Sequence, residues 1–77
     1  MATDVPITGE MIKLGQLLKL AGIIDNGSQA KALLATEPVS VNQEPEVRRG
    51  RQLHPGDTVW VGEDELRVIR AALPGDT

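Results

Sequence analysis

Seventy-seven residues make one small domain, which buries only roughly 60% of the surface its unfolded chain exposes and leaves little room for a deep catalytic pocket. With no cysteine and a single histidine, His54, the composition excludes disulfides, thiolate catalysis and cysteine-ligated zinc; no metal or other cofactor is expected. The formal charge of −3 argues against a broad phosphate-binding surface, which needs lysine and arginine, so any nucleic-acid face has to be local.

Residues 1–11 form an N-terminal segment in which Thr3 to Thr8 reads as a short edge strand. Met1 to Pro6 has neither the basic nor the apolar region of a secretion signal. No apolar run approaches the roughly 18 residues a membrane span needs, so a cytoplasmic protein without membrane contact is expected. Leu14, Leu17, Leu18 and Ala21 recur at i, i+3, i+4 and i+7, one stripe of a helix. They predict a helix over about Lys13–Ala21, closed by Gly22. Gly15 inside that helix costs about 1 kcal/mol relative to alanine, which a close backbone neighbour would explain. A second helix is predicted over about Asn26–Ala35. Asn26 is a good N-cap with Gln29 three residues on, as in a capping box. Ala30, Leu33 and Leu34 give its buried face, and Pro38 ends it.

After Pro38 the apolar period falls from 3.6 to 2. Strands are predicted near Val39–Val41 and Glu46–Arg48, around a tight turn at Asn42-Gln43-Glu44. Arg49 to Leu53 reads as an extended or looped link. His54-Pro55-Gly56-Asp57 has the residues of a type II turn. Thr58–Val61 is the next strand, with Val59 and Val61 inward. A turn carrying Glu63, Asp64 and Glu65 leads to the last strand, Leu66–Ile69. Residues 71–77 read as a flexible tail. The fold class is therefore α+β: two short helices followed by a small antiparallel sheet, over residues 12–70. Its expected core is Leu17, Leu18, Leu33, Leu34, Val41 and Val59.

The candidate binding residues are basic or lie at a helix start. Arg48, Arg49 and Arg51 fall within four residues, against the reading of a solvated link that keeps an acidic protein soluble. Asn26, Gly27 and Ser28 open the second helix, whose unpaired amides and dipole suit a phosphate; plain capping is the alternative for Asn26 and Ser28. Lys31 stands one turn beyond Gly27 and Lys13 opens the first helix, and both are equally well ordinary solvent-facing lysines. Trp60 points away from the core; covering the N-terminal segment or a helix end is the favoured role, ahead of stacking on a base. Glu63, Asp64 and Glu65 lack a companion base or metal-ligand set, so no catalytic role is expected.

Lys13-Leu14, Leu17-Leu18, Asn26-Gly27-Ser28-Gln29-Ala30-Lys31, Val39-Ser40-Val41-Asn42 and Pro55-Gly56-Asp57, in this order and spacing, resemble the RNA-binding domain of ribosomal protein S-four. This is the alpha-L RNA-binding motif, and the likeness is nearest to its small stand-alone bacterial members. It runs from Ile12 to Val61, about two thirds of the chain. The resemblance implies an RNA face on the first two helices and the turn after them. Lys13 and Lys31 then fall on commonly basic positions and Asn26 and Ser28 on polar ones. Arg48, Arg49 and Arg51 fall where stand-alone members carry basic residues. Three residues depart from the pattern: Gly27 where many members have arginine, Glu37 at a common glycine, and Gln43 where a Val-Asn-Gly turn has its glycine. They bear on RNA affinity more than on fold.

What the resemblance implies is a non-catalytic module that recognises structured RNA, ribosomal or transfer, by backbone and shape, within a ribonucleoprotein complex. Two other readings stand beside it. A protein–protein adaptor that keeps the fold without RNA binding fits the acidic balance. A β-grasp sulfur carrier fits less well, because the helices precede the sheet and the chain ends Pro74-Gly75-Asp76-Thr77 rather than in a Gly-Gly tail.

Overall fold

The change of apolar period at Pro38 is where helix gives way to sheet. In the computed structural model, which describes residues 2–71, β1 (Ala2–Ile7) and β2 (Ile12–Lys13) lead into α1 (Leu14–Leu20) and α2 (Ser28–Thr36). Then come β3 (Val39–Val41), β4 (Glu44–Pro45), β5 (Gln52–Leu53), β6 (Thr58–Val61) and β7 (Asp64–Arg70). The five-stranded sheet runs in the order β1-β7-β6-β3-β4, and β2 pairs with β5 in a separate ribbon. The fold is α+β, and among the described residues no helix follows β3, which removes the β-grasp order.

Both helices are placed by local chemistry. α1 ends in a Schellman motif: Gly22, at φ +79, donates its amide to the Lys19 carbonyl, and Ile23 donates to Leu18. α2 begins beneath the Asn26 carboxamide, whose oxygen accepts from the amides of Ser28 and Gln29. Gln29 completes a box one residue earlier than expected, its Oε1 accepting from the Asp25 amide at 2.6 Å. The hairpin between β3 and β4 has Asn42 at φ 51 and Gln43 at φ 72, the two positive values of a type I′ turn. His54-Pro55-Gly56-Asp57 turns as its residues predict, with Gly56 at φ +101 and the Asp57 amide on the His54 carbonyl at 2.9 Å.

Several elements differ from the sequence reading. The expected edge strand is present as β1, but it pairs parallel with β7, so the sheet is mostly rather than wholly antiparallel. The strand expected over Glu46–Arg48 does not form. β4 stops at Pro45, because the Glu46 carboxylate bonds the amides of Val47 and Arg48 and turns the chain out of the ladder. Part of the expected link is strand β5, antiparallel to β2, so Lys13 is extended rather than helical. β7 begins at Asp64, which puts Asp64 and Glu65 in the strand and leaves Gly62-Glu63 as the turn. Ala71 still pairs, its amide donating to Ile7; the rest of the expected tail lies outside the described residues.

The core lies between the helices and one face of the sheet. Leu14, Leu17 and Leu18 of α1 meet Ala30 and Leu34 of α2, and Val5, Val39, Val41, Val59, Leu66 and Val68 of the sheet. Of the six expected core residues, Leu17, Leu18, Leu34, Val41 and Val59 are buried, while Leu33 is partly buried at the margin. α2 therefore turns its Ala30–Leu34 row inward, an i, i+4 pair on one helix face. Trp60 points outward and stands beside Ser40 and Glu65 of neighbouring strands; it does not cover a helix end, and β1 lies beyond β7. Leu34→Ala should cost about 2–5 kcal/mol and Leu33→Ala distinctly less, because cavity cost follows burial. Chemical denaturation of the two variants measures the difference, and equal losses would mean that α2 is rotated from this orientation.

Candidate nucleic-acid interface

The arginine stretch is shaped by a glutamate. Glu46 leaves β4 with its amide on the Val39 carbonyl at 2.9 Å, which fixes where its side chain starts. Its carboxylate then accepts five hydrogen bonds: from the amides of Val47 and Arg48, from Nε and Nη2 of Arg48, and from Nη1 of Arg51. The Arg48 pair is two-pronged, both contacts at 3.1 Å; the Arg51 contact is 2.9 Å. Only 6% of Glu46 remains exposed. It is roofed by the two arginines and its own loop rather than sunk in apolar core. The hydrogen bonds, those of Arg48 first, outweigh the upward push of burial and hold the carboxyl at about 2. In return the carboxylate raises the Arg48 pKa.

The loop so formed docks on α1. The Arg51 amide closes a turn on the Arg48 carbonyl at 3.2 Å. The carbonyls of Arg49 and Arg51 accept the amides of Gly15 and Leu14, both at 2.9 Å. These are first-turn donors of a helix that has no side-chain cap, so the loop backbone does the capping. Arg49 and Ala30 neighbour Gly15, but an added Cβ would stand 3.5 Å from the Ala30 Cβ and from the Arg49 Cβ and carbonyl oxygen, ordinary contact distances, so the expected close approach does not require the glycine. One residue before the helix, exposed Lys13 pairs with Gln52 across the β2–β5 ribbon.

Three separate stretches thereby meet. Lys13, Gly15, Gln16, Gly27, Arg49 and Gly50 line one open hollow of about 270 Å³. Arg48 and Arg51 line another, with Gly50, Gln52 and His54. The arginine trio is thus divided: Arg49 makes no ion pair or side-chain hydrogen bond among the described residues, while its two neighbours are engaged by Glu46. Lys31 is exposed on α2, outside the lining of the first hollow. Asn26 and Ser28 are also outside it and bonded to each other, Ser28 Oγ donating to Asn26 Oδ1 at 2.6 Å. The helix-start amides expected to be open to phosphate are occupied, those of Ser28 and Gln29 by Asn26 and that of Ala30 by the Gly27 carbonyl. Gly27 has φ −65 and nothing within 4 Å of where a Cβ would project, so a side chain can start there without strain or clash at its Cβ.

Glu46 and Gln16 escaped the sequence reading. For Glu46 a signal existed: it is the one acid between Pro45 and Gln52, beside three arginines. Among the described residues no group of His, Cys, Asp and Glu could hold a metal, and no helix is long and apolar enough to cross a membrane.

A family model with the description S4 domain matches residues 5–69 of this chain. A Bacillus subtilis (strain 168) protein named "Probable ribosome maturation protein RlbA" is 52% identical over 70 residues, which span 90% of this chain and 99% of that protein.

The Glu46 carboxyl generates a prediction in acid. Its pKa in the fold, about 2, lies below its ordinary 4.5, so its contribution to stability is complete above that ordinary value and is lost as pH falls toward the lower one. Wild type and Glu46→Gln, melted side by side from pH 6 to pH 2, should differ most at about pH 5–6 and converge in acid. A difference that stays constant with pH would contradict the arrangement.

Proposed function

Because this chain belongs to the S4 domain family, we propose that it is a non-catalytic RNA-binding module that grips structured RNA through backbone and shape. The observation that carries the reading is the hollow where Lys13, Gly27 and Arg49 meet from three separate stretches. Lysine offers a point charge and arginine a planar fork, and both suit phosphate. Lys31, one turn along α2, extends the face. Asn26 and Ser28 hold the start of α2 in place and contact RNA at its margin. Arg48 and Arg51 add charge at the rim while bound to Glu46.

Charge distribution supports RNA over the adaptor reading. Lys13, Lys19, Lys31, Arg48, Arg49 and Arg51 are six of the eight cations in the chain, and all lie on the ribbon, the helices or the arginine loop. The overall −3 then implies modest affinity, with a larger ribonucleoprotein surface contributing the rest. The B. subtilis relative carries the name of a ribosome maturation protein. By that likeness the RNA proposed here is ribosomal, bound in the cytoplasm during assembly, with transfer RNA as the competing ligand.

A titration against structured ribosomal and transfer RNA fragments at two salt concentrations tests this. Log affinity should fall with log salt by about 0.7–0.9 per phosphate contact. Arg49→Ala should weaken every RNA by a similar factor and reduce the slope by about one contact. Gly27→Arg, placed in open space beside Lys13 and Arg49, should strengthen binding and steepen the slope by about one contact. Arg49→Ala binding like wild type, or no salt-sensitive binding by any of the three proteins, would overturn the reading.

A further inference from the structure

Among the described residues no element packs on the face of the sheet turned away from the helices, and this face holds the chain's only aromatic side chain. β6 directs Val59 and Val61 into the core and Trp60 to the other side, where it remains 37% exposed. Ser40, Trp60 and Glu65 stand side by side across β3, β6 and β7. Trp60 and Glu65, with Asn42, Gln43 and Thr58, line an open depression of about 270 Å³. Its rim is braced: the Asn42 side chain donates to Asp57 Oδ1 and accepts from the Thr58 amide.

We propose that Trp60 and Glu65 form a seat for an arginine or lysine side chain on an extended basic segment of a partner protein. An indole face attracts a cation through its quadrupole, and a carboxylate beside it supplies the counter-charge. Among the described residues Glu65 forms no ion pair, and Asp64, one residue before it on β7, falls on the other face of the sheet. Six of the eight cations lie on the ribbon, helices and arginine loop; on this face β7 offers only Arg67, across from Thr58 and Asp4. Tryptophan is also a residue around which binding energy concentrates at protein interfaces. An RNA base could stack on Trp60, but its phosphates would then lie against Glu65 and, at the rim, Asp57. The charge therefore favours a basic protein segment here, on the opposite face of the sheet from the helices.

Trp60 is its own reporter, being the only tryptophan. The full chain is titrated with a short arginine–glycine peptide lacking aromatic residues and, separately, with a uridine oligonucleotide. The peptide should change Trp60 emission saturably, and the oligonucleotide should leave it unchanged. By calorimetry, Glu65→Gln and Trp60→Ala should each weaken the peptide about three- to five-fold, the scale of an exposed cation–π contact. Glu10→Gln, an exposed acid outside this depression, should have no such effect. Structured-RNA affinity should be the same for Glu65→Gln and wild type, so this proposal can fail while the RNA reading stands, and the reverse. Emission that responds to the oligonucleotide alone would reassign Trp60 to base stacking. Equal losses in Glu65→Gln and Glu10→Gln would reduce the binding to diffuse attraction. Either result, or no peptide binding at all, overturns the proposal.

Discussion

One carboxylate organises the surface on which the functional reading rests. Glu46 is anchored to β3 through its own amide, and its side chain gathers two backbone amides and two guanidinium groups. That holds residues 46–51 as a compact loop. The loop in turn caps α1 through the carbonyls of Arg49 and Arg51. α1 has only seven residues, too few to persist without tertiary support, and no side chain of its own caps it. The same carboxylate therefore helps to hold a helix and, among the described residues, leaves Arg49 unengaged beside Lys13.

This arrangement explains why three adjacent arginines are not equivalent. Hydrogen bonds to a charged partner are stronger than neutral ones, and Arg48 and Arg51 are committed to Glu46. Arg49 lies at the second position of the Arg48–Arg51 turn, where its carbonyl serves α1 and its side chain remains available. In a protein with more acids than bases, such local sorting leaves one arginine of the three outside the Glu46 ion pairs. Long-range steering by net charge would otherwise oppose an anionic ligand. Gly27 fits the same picture: its backbone conformation is ordinary and the space around it is open, so the missing side chain lowers charge without easing any strain.

What was legible in the sequence followed the range of the interaction. The α1 stripe, the Gly22 cap, and the turns at Asn42-Gln43 and Pro55-Gly56 depend on neighbours a few residues away and appear where their residues predict, while α2 starts at Ser28, two residues after the expected Asn26. The resemblance over Ile12 to Val61 also led to the right family. Pairings between distant segments were not legible. Nothing local tells β1 to lie parallel to β7, or two-residue β5 to pair with β2. Leu33 and Leu34 are equivalent by composition, and only the packing against the sheet chooses Leu34. Within the candidate site, the meeting of Lys13, Gly27 and Arg49 requires the tertiary fold. The division of the arginines required knowing that Glu46 leaves the ladder. An alternating pattern through Pro45 to Arg48 reads as strand until a carboxylate competes for its amides.

The central claim is that Glu46 contributes to RNA binding through geometry although its charge opposes RNA. Charge and geometry predict opposite signs for one substitution, which makes RNA affinity of Glu46→Gln the most direct measurement. The variant gains one positive unit next to the arginines, so electrostatics alone gives tighter binding. If the carboxylate positions the loop, a structured RNA binds more weakly to a folded Glu46→Gln protein than to wild type at the same salt, and the amides of Leu14 and Gly15 exchange faster. Tighter binding, with those two amides protected as in wild type, would contradict the account.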